Sequence, residues 1–217
     1  MGLRDPPGTV TPVPRAKPSA PGRRRVNDPE GLRERVLDAA AALFQRQGYT
    51  ATGIQELLAT AEVTSGAFYH HFEGKKALGL AVVRERVAAA IEETWLAPLR
   101  DAPTTLAGIT AVFRAIAGEL DAHRAVQGCP ANNLVMELGY ADADFRRELR
   151  HVFDQWRGAI AAKLAEDMAH RAIKRRDPDA LASYVIAAYS GAMALAKLEQ
   201  RSAPLTAALA ELATALG

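Results

Sequence analysis

Apolar residues recur at three- and four-residue spacing along most of this chain, and no segment shows the alternation that is typical of a β-strand. The pattern begins near Leu32 and continues through successive segments of the 217-residue sequence. A chain of this length is long enough to bury a hydrophobic core. The expected fold class is therefore all-α.

Start and stop signals divide the first part of this pattern into three segments. Pro29, preceded by an N-capping aspartate, predicts a helix that runs to about Gln47 and stops at a glycine. Thr52 and Gln55 fit a capping box, which predicts a second, short helix starting at Gly53. After a four-residue turn, the segment 65–72 predicts a third helix of about two turns.

Longer helices are predicted in the rest of the chain. One begins after the lysine pair at 75–76 and runs to about Leu96, because Pro98 is expected to end it. The other predicted helices cover 104–122, 134–138, 142–172, 178–200 and 205–216. The predicted organisation is a tail at 1–28, a three-helix domain at 29–75 and a larger helical domain at 76–217.

The charge and cysteine content narrow the functional classes. The net charge of +2 is close to neutral, so a nucleic-acid surface must come from local placement of charge. Cys129 is the single cysteine, which excludes an internal disulfide and favours a reducing cytoplasm. The first residues lack the apolar run of a secretory signal.

The first 28 residues are rich in proline and poor in large apolar side chains, so they are predicted to be disordered. Their basic residues permit two interpretations, a DNA-contacting arm or a solubilising tail. The residues concerned are Arg4, Arg15, Lys17, Arg23, Arg24 and Arg25.

The stretch 64–72, TSGAFYHHF, has the pattern of the second helix of a helix-turn-helix. A helix that enters a major groove about 12 Å wide needs small residues on its outer face, and the stretch opens with four of them. Phe68 and Phe72 are four apart and are expected to pack inward. Tyr69 lies off that face, where its hydroxyl would bond a phosphate, and His70 is placed to meet a base edge or the backbone.

Residues 33–83 resemble the DNA-binding domain of tetracycline-repressor (TetR) family regulators. The resemblance rests on Val36–Ala40, LF at 43–44, GY at 48–49, GAFYHHF at 66–72, and Lys75 followed by AL at 77–78. It implies a ligand-responsive homodimeric repressor that binds a palindromic operator on double-stranded DNA. By motif position, the implied DNA contacts are Thr52, Thr64, Ser65, Gly66, Ala67, Tyr69, His70 and Lys75.

The sequence departs from the family pattern in and after the turn. Glu62 stands where a turn glycine is usual, so a left-handed backbone is predicted at a non-glycine residue. Glu73 replaces a basic or neutral residue, and Gly74 replaces an N-capping serine.

The resemblance also implies a helical ligand domain, with the helices at 142–172 and 178–200 forming the dimer seam. The segment 180–196 is uncharged, and burial by protein is preferred over a membrane span because 17 residues only just suffice to cross. A small hydrophobic or electrophilic effector is expected, and no cofactor is predicted. Candidate effector-binding residues are Phe113, Ile116, Leu120, Cys129, Met136, Tyr140, Phe153, Trp156 and Tyr189.

Several alternatives remain open at this stage. Cys129 lies in a GC…N-L-x-x-E segment and is either an electrophile-sensing thiol or, as we prefer, a small buried residue. His70 and His71 point about 100° apart on a helix, which argues against a shared metal ion. Two other functions are alternatives to a DNA-binding repressor. A helical-bundle enzyme would need a catalytic group of residues that the sequence lacks. The other alternative is an interaction module that has kept the fold and lost DNA binding.

Overall fold

The computed structural model describes residues 29–122 and 125–216, and every regular element in these ranges is helical. The all-α prediction is confirmed. The predictions for the tail at 1–28, including its arginines and the capping aspartate, lie outside the described residues. His123 and Arg124, two sequence neighbours of Cys129, lie outside them as well.

Three helices form the N-terminal unit, which we call the head. They are α1 (Pro29–Gln47), α2 (Ile54–Ala61) and α3 (Ser65–His71). Residues of all three pack into one core, in which Leu43, Leu57 and Phe68 are at most 1% exposed. Their order and the short turn between α2 and α3 agree with the predicted helix-turn-helix.

The capping-box prediction for α2 is wrong in detail. Gly53 occupies the N-cap position, and no side chain caps the helix there. The hydroxyl of Thr52 instead donates a hydrogen bond to the carbonyl of Gly48 at 2.7 Å, which closes the turn between α1 and α2. Glu62 ends α2 with φ 54° and ψ 47°, so the left-handed backbone predicted at this non-glycine position is confirmed.

A nearly continuous helical run, α4, leads out of the head. Its α-helical segments, Lys75–Val82, Ala88–Ile91 and Ala97–Asp101, are separated by π-helical turns at Val83–Val87 and Glu92–Leu96. Pro98 does not end the helix as predicted. It lies in the first turn of the last segment, directly after a π turn whose altered hydrogen-bond register accommodates a residue without an N–H.

The remaining helices form what we call, together with α4, the body. They are α5 (Thr105–Ala122), α6 (Pro130–Leu138), α7 (Ala143–Ala169), α8 (Pro178–Glu199) and α9 (Ala203–Leu216). Helix α6 begins four residues earlier than predicted, because Pro130 suits a first helical turn. Helix α7 packs along α8, and α9 packs against α8 and α5.

The centre of the body is an aromatic cluster. Trp95 meets Trp156 and Tyr189 edge to face, with both centroid distances at 4.8 Å, and Phe113 lies 5.8 Å from Trp95. All four side chains are at most 4% exposed. The rings come from α4, α5, α7 and α8, so this cluster ties the long helices together.

Ion pairs join the head to α4, and α4 to α7. The guanidinium of Arg33 pairs with Glu85, and Arg86 donates to Asp38 at 2.7 Å. Arg84 pairs with Glu148 at 2.7 Å on the other side of α4. Helix α4 is therefore held by charge pairs on both the head side and the body side.

Candidate nucleic-acid interface and adjoining cavity

The outer face of α3 is exposed to solvent. Thr64, Ser65 and Gly66 open the helix at the surface, and Ala67 is partly exposed. Tyr69 is 53% exposed, and His70 is exposed beside it. Six of the eight residues predicted to contact DNA thus lie together on one accessible surface, which we call the α3 surface.

Two phenylalanines support this surface from behind. Phe68 is fully buried and Phe72 is 5% exposed, as the four-residue spacing predicted. Tyr69 packs edge to face on Phe68 with ring centroids 5.1 Å apart, which orients the exposed phenol. The hydroxyl of Thr64 accepts a hydrogen bond from the N–H of Ala67 at 3.3 Å and caps the helix.

Packing within the protein does not require a glycine at position 66. A Cβ placed there meets no heavy atom within 4 Å. The absence of a side chain leaves the first turn of α3 slim, which suits a close approach of another molecule to the backbone.

The other two predicted contact residues serve the turn between α1 and α2. Thr52 is 1% exposed, and its hydroxyl is already bonded to Gly48. The ammonium of Lys75 donates to the carbonyl of Thr50 at 3.2 Å and lies 4.5 Å from the centroid of the Tyr49 ring. Burial lowers the pKa of Lys75, although the charge of Glu137 opposes this effect.

A cavity of about 490 Å³ lies between α6, α7 and α8. This volume falls in the range of small-molecule sites. The side-chain amide nitrogen of Asn132 is buried at this cavity and lacks a hydrogen-bond partner in the described part of the chain. The lining residues are Gly128, Cys129, Asn132, Asn133, Val135, Met136, Phe153, Ser190, Gly191, Met193, Ala194 and Lys197.

Cys129 precedes α6 at the edge of this cavity and is 4% exposed. Burial raises the pKa of its thiol, and the N–H groups of Asn132 and Ala131 and the Tyr189 side chain only partly offset that effect. The thiol is therefore protonated at neutral pH. A sensor thiol needs a lowered pKa, so this conformation agrees with the structural interpretation of Cys129.

The structure divides the predicted effector residues into three groups. Cys129, Met136 and Phe153 line the cavity. Four of the others are buried core side chains, namely Phe113, Ile116, Trp156 and Tyr189, and Leu120 is half-buried against the same core. Tyr140 is 98% exposed in the turn after α6, where it borders a second cavity of about 460 Å³.

Sequence reasoning missed the polar residues of α6. Asn132, Asn133 and Glu137 belong to the GC…N-L-x-x-E segment, from which only Cys129 and Met136 were predicted as site residues. The signal was the four-residue spacing of Asn133 and Glu137, which puts both side chains on one face of a helix. That face meets the head.

The structure also bears on the metal site and the membrane span that the sequence analysis considered. Among residues 29–122 and 125–216, no three His, Cys, Asp or Glu side chains are grouped for a metal ion. Helix α8 is long and apolar enough to cross a membrane by length and composition alone, and 44% of its apolar window is buried inside the protein.

Comparison with known protein families matches both parts of the chain. The family described as "Bacterial regulatory proteins, tetR family" matches residues 36–82, which include α2 and α3. The family described as "Transcriptional regulator LmrA/YxaF-like, C-terminal domain" matches residues 105–211, which include the cavity.

Individual proteins resemble the chain over most of its length. It is 32% identical to the HTH-type transcriptional repressor DhaR of Mycobacterium sp. (strain GP1), over 80% of this chain and 86% of that one. It is 30% identical to the transcriptional regulator AcuR of Cereibacter sphaeroides, over 89% and 92% of the two chains. The crystal structure of regulatory protein TetR from Rhodobacter sphaeroides superimposes with a TM-score of 0.77 at 28% identity, over 85% and 98%. The chain belongs to the TetR family of bacterial transcriptional regulators, which is a family of regulators and not of enzymes.

Proposed function

We propose that this protein is a dimeric repressor that inserts α3 into the major groove of a two-fold symmetric operator. The observation that carries the proposal is the exposed α3 surface, backed by the buried rings of Phe68 and Phe72. In a symmetric dimer, two such helices would meet half-sites about 34–36 Å apart, one turn of the duplex.

The α3 surface supplies distinct kinds of contact. Hydroxyl groups at Thr64, Ser65 and Tyr69 suit phosphate oxygens, which position a protein without reading sequence. Gly66 and Ala67 allow the helix to approach closely. His70 is the residue on this surface suited to a base edge. Thr52 and Lys75 act from behind, by holding the turn that precedes α2.

The proposed dimer forms through α7 and α8, since α8 has an exposed apolar face in the single subunit. Tyr184 is 46%, Leu195 50% and Leu198 79% exposed. Small residues on this face and on the neighbouring part of α7 would let a partner's helices approach closely. The exposed small residues are Gly158, Ala162, Ala165, Ala187, Gly191 and Ala194.

The proposed effector is a small, mainly apolar molecule. The cavity is lined mostly by apolar groups. Gly191 and Ala194 belong both to the cavity wall and to the exposed face of α8. A partner subunit on that face would therefore help to close the site.

Release from DNA requires that the effector bind the DNA-incompetent arrangement more tightly than the competent one. A tenfold loss of operator affinity corresponds to about 1.4 kcal/mol of such preference. The proposed repressor would act in the cytoplasm, where bacterial DNA lies.

Footprinting on the DNA upstream of the protein's own gene tests the proposal. The expected result is one protected site with two-fold symmetry and half-sites one helical turn apart. Binding should weaken with salt, with a log–log slope of about −0.9 for each phosphate neutralised. Weak DNA binding without a protected site would instead indicate an interaction module that has lost specific operator binding.

A further inference from the structure

The carboxylate of Glu137, near the end of α6, holds the turn between α1 and α2 of the head. One carboxylate oxygen accepts the main-chain N–H of Tyr49 at 2.9 Å, and the other accepts that of Thr50 at 2.5 Å. A body side chain therefore completes the hydrogen bonding of a head turn. The Lys75 ammonium holds the carbonyl of Thr50 in the same turn, so the turn is fixed from two sides.

Asn133, one turn earlier on α6, makes a second contact with the head. Its amide nitrogen donates to the side-chain oxygen of Gln45 at 3.1 Å, and its oxygen accepts from Lys197 at 3.1 Å. The amide of Gln45 in turn donates to the carbonyl of Gly128 at 2.5 Å. This chain of bonds links α8, α6 and α1.

Two glycines stand where α6 meets the head and the preceding loop, and both need positive φ. Gly48 has φ 92°, and a Cβ there would lie 3.0 Å from a carboxylate oxygen of Glu137. Gly128 has φ 88°, and a Cβ there would lie 3.0 Å from the side-chain oxygen of Asn133. The backbone thus makes room for these two side chains at two separate points.

The same helix forms a wall of the cavity described above. Asn133 lines that cavity, and Met136, next to Glu137, lines it too. A molecule in the cavity would therefore contact α6 at Asn133 and Met136, beside the contacts of α6 with the head. We propose that Asn133 and Glu137 form the coupling contact, through which the cavity sets the position of the head; this inference rests on the function proposed above.

The electrostatics agree with this geometry. Burial alone would raise the pKa of Glu137, but hydrogen bonds from Thr50 and Tyr49 and the charge of Lys75 outweigh it, so the pKa is lowered. The carboxylate is ionised at neutral pH and accepts both N–H bonds in its strongest form.

Hydrogen exchange of the full-length protein, read by mass spectrometry on peptides that cover residues 45–53, tests the contact directly. In Glu137→Ala, the Tyr49 and Thr50 amides should exchange about tenfold faster, because both lose a charged acceptor. Glu137→Gln keeps one acceptor oxygen, so only one of the two main-chain amides of Tyr49 and Thr50 should exchange faster. Glu93→Ala, which removes an exposed carboxylate from α4, is the matched control and should leave these peptides unchanged.

Affinity for the DNA upstream of the gene supplies the second measurement. Glu137→Ala should bind that fragment about tenfold more weakly than the wild type and the Glu93→Ala control, while remaining helical and of the same oligomeric state. Unchanged exchange at residues 49–50 would overturn the inference, and so would faster exchange with unchanged DNA affinity.

A wild-type protein that binds no upstream DNA would count against the proposed function and not against the contact. In that case the hydrogen-exchange measurement alone tests the contact between Glu137 and the head. Acceleration confined to the α1–α2 turn would support Glu137 as the residue that positions the head, and unaltered exchange would refute it.

Discussion

The ring of Tyr49, in the head, packs edge to face on the ring of Phe145, at the start of α7, with centroids 4.9 Å apart. Phe44 of α1 lies on the other side of Tyr49, at 5.2 Å. This row of three rings carries the packing of the head core into the body. Its geometry depends on Gly79, because a Cβ there would lie 2.6 Å from Phe145 and 2.7 Å from Tyr49.

Gly79→Ala is therefore expected to destabilise the protein by about 1–3 kcal/mol, since the added methyl overpacks a site closed by two rigid rings. Denaturant unfolding measures the change. Gly118→Ala is the matched control, because a Cβ at Gly118 meets nothing within 4 Å on helix α5. It should be neutral or stabilise by up to about 1 kcal/mol. Equal stability of the two variants would mean that the ring row repacks freely.

The head could be predicted from the sequence because its signals are local. The spacing of Phe68 and Phe72 alone determines that both rings face the same side of a short helix. The left-handed backbone at Glu62 was predicted from the resemblance, because the family usually has a glycine at that position of the turn. The capping-box prediction for Thr52 was wrong, because its hydroxyl donates to the carbonyl of Gly48, a contact that only the folded turn brings within reach.

The body could be predicted less well because its details depend on contacts between distant helices. Pro98 lies in the first turn of the α-helical segment that follows a π turn, and hydrophobic periodicity does not predict that change of register. The helical spacing of Phe113 and Trp156 predicted that both side chains are buried. Helical spacing does not show where the packed helices leave a cavity. Tyr140 lies two residues after Leu138, the last residue of α6, so helical periodicity does not apply to it, and its ring faces solvent.

Tyr69→Phe should weaken operator binding about five- to tenfold by removing one hydrogen bond to a phosphate. The loss should be similar for all DNA sequences, since a phosphate contact does not read bases. Stability should hardly change because the phenol is 53% exposed. Gel-shift titrations on the operator and on scrambled DNA give both affinities, and operator binding equal to the wild type would exclude the phosphate contact.

His70→Ala should change sequence preference more than overall affinity if the imidazole reads a base edge. Selection of bound sequences from a randomised operator library would show relaxed specificity at one position of each half-site. Losing one base contact costs about 1–3 kcal/mol of discrimination. If the sequence preference of His70→Ala matches that of the wild type, His70 contacts only the DNA backbone or does not contact DNA.

Gly191→Leu should convert the proposed dimer to monomers. A Cβ at Gly191 meets nothing within 4 Å in the single subunit, so the leucine would extend toward a partner's helix and into the cavity that Gly191 lines, without displacing the core. Light scattering coupled to size exclusion measures the mass. Gly118→Leu, an equally open glycine on α5, should remain dimeric, and a dimeric Gly191→Leu protein would place the seam elsewhere.

The Cys129 thiol should react slowly with a disulfide reagent such as DTNB at neutral pH. Burial both hides the sulfur and raises its pKa, so the thiolate that attacks the reagent is scarce. Since this is the single cysteine of the chain, the absorbance reports one site. The reaction should be at least about tenfold slower than in urea, where the thiol is exposed. A rate in buffer that matches the rate in urea would revive the sensor interpretation.

The stability difference between wild type and Glu137→Gln should depend on pH with a definite sign. The pKa of Glu137 is lowered in the folded protein, so its contribution is present above the unfolded pKa and disappears as pH falls through the folded value. We expect the variant to be less stable by about 1–2 kcal/mol at pH 7, with the gap closing below about pH 4. Lys75 is the cation whose charge helps to lower the pKa of this carboxylate. Urea unfolding of both proteins at pH 7, 5 and 3.5 gives the two curves. A gap that persists undiminished at pH 3.5 would show that the carboxylate charge does not hold the turn.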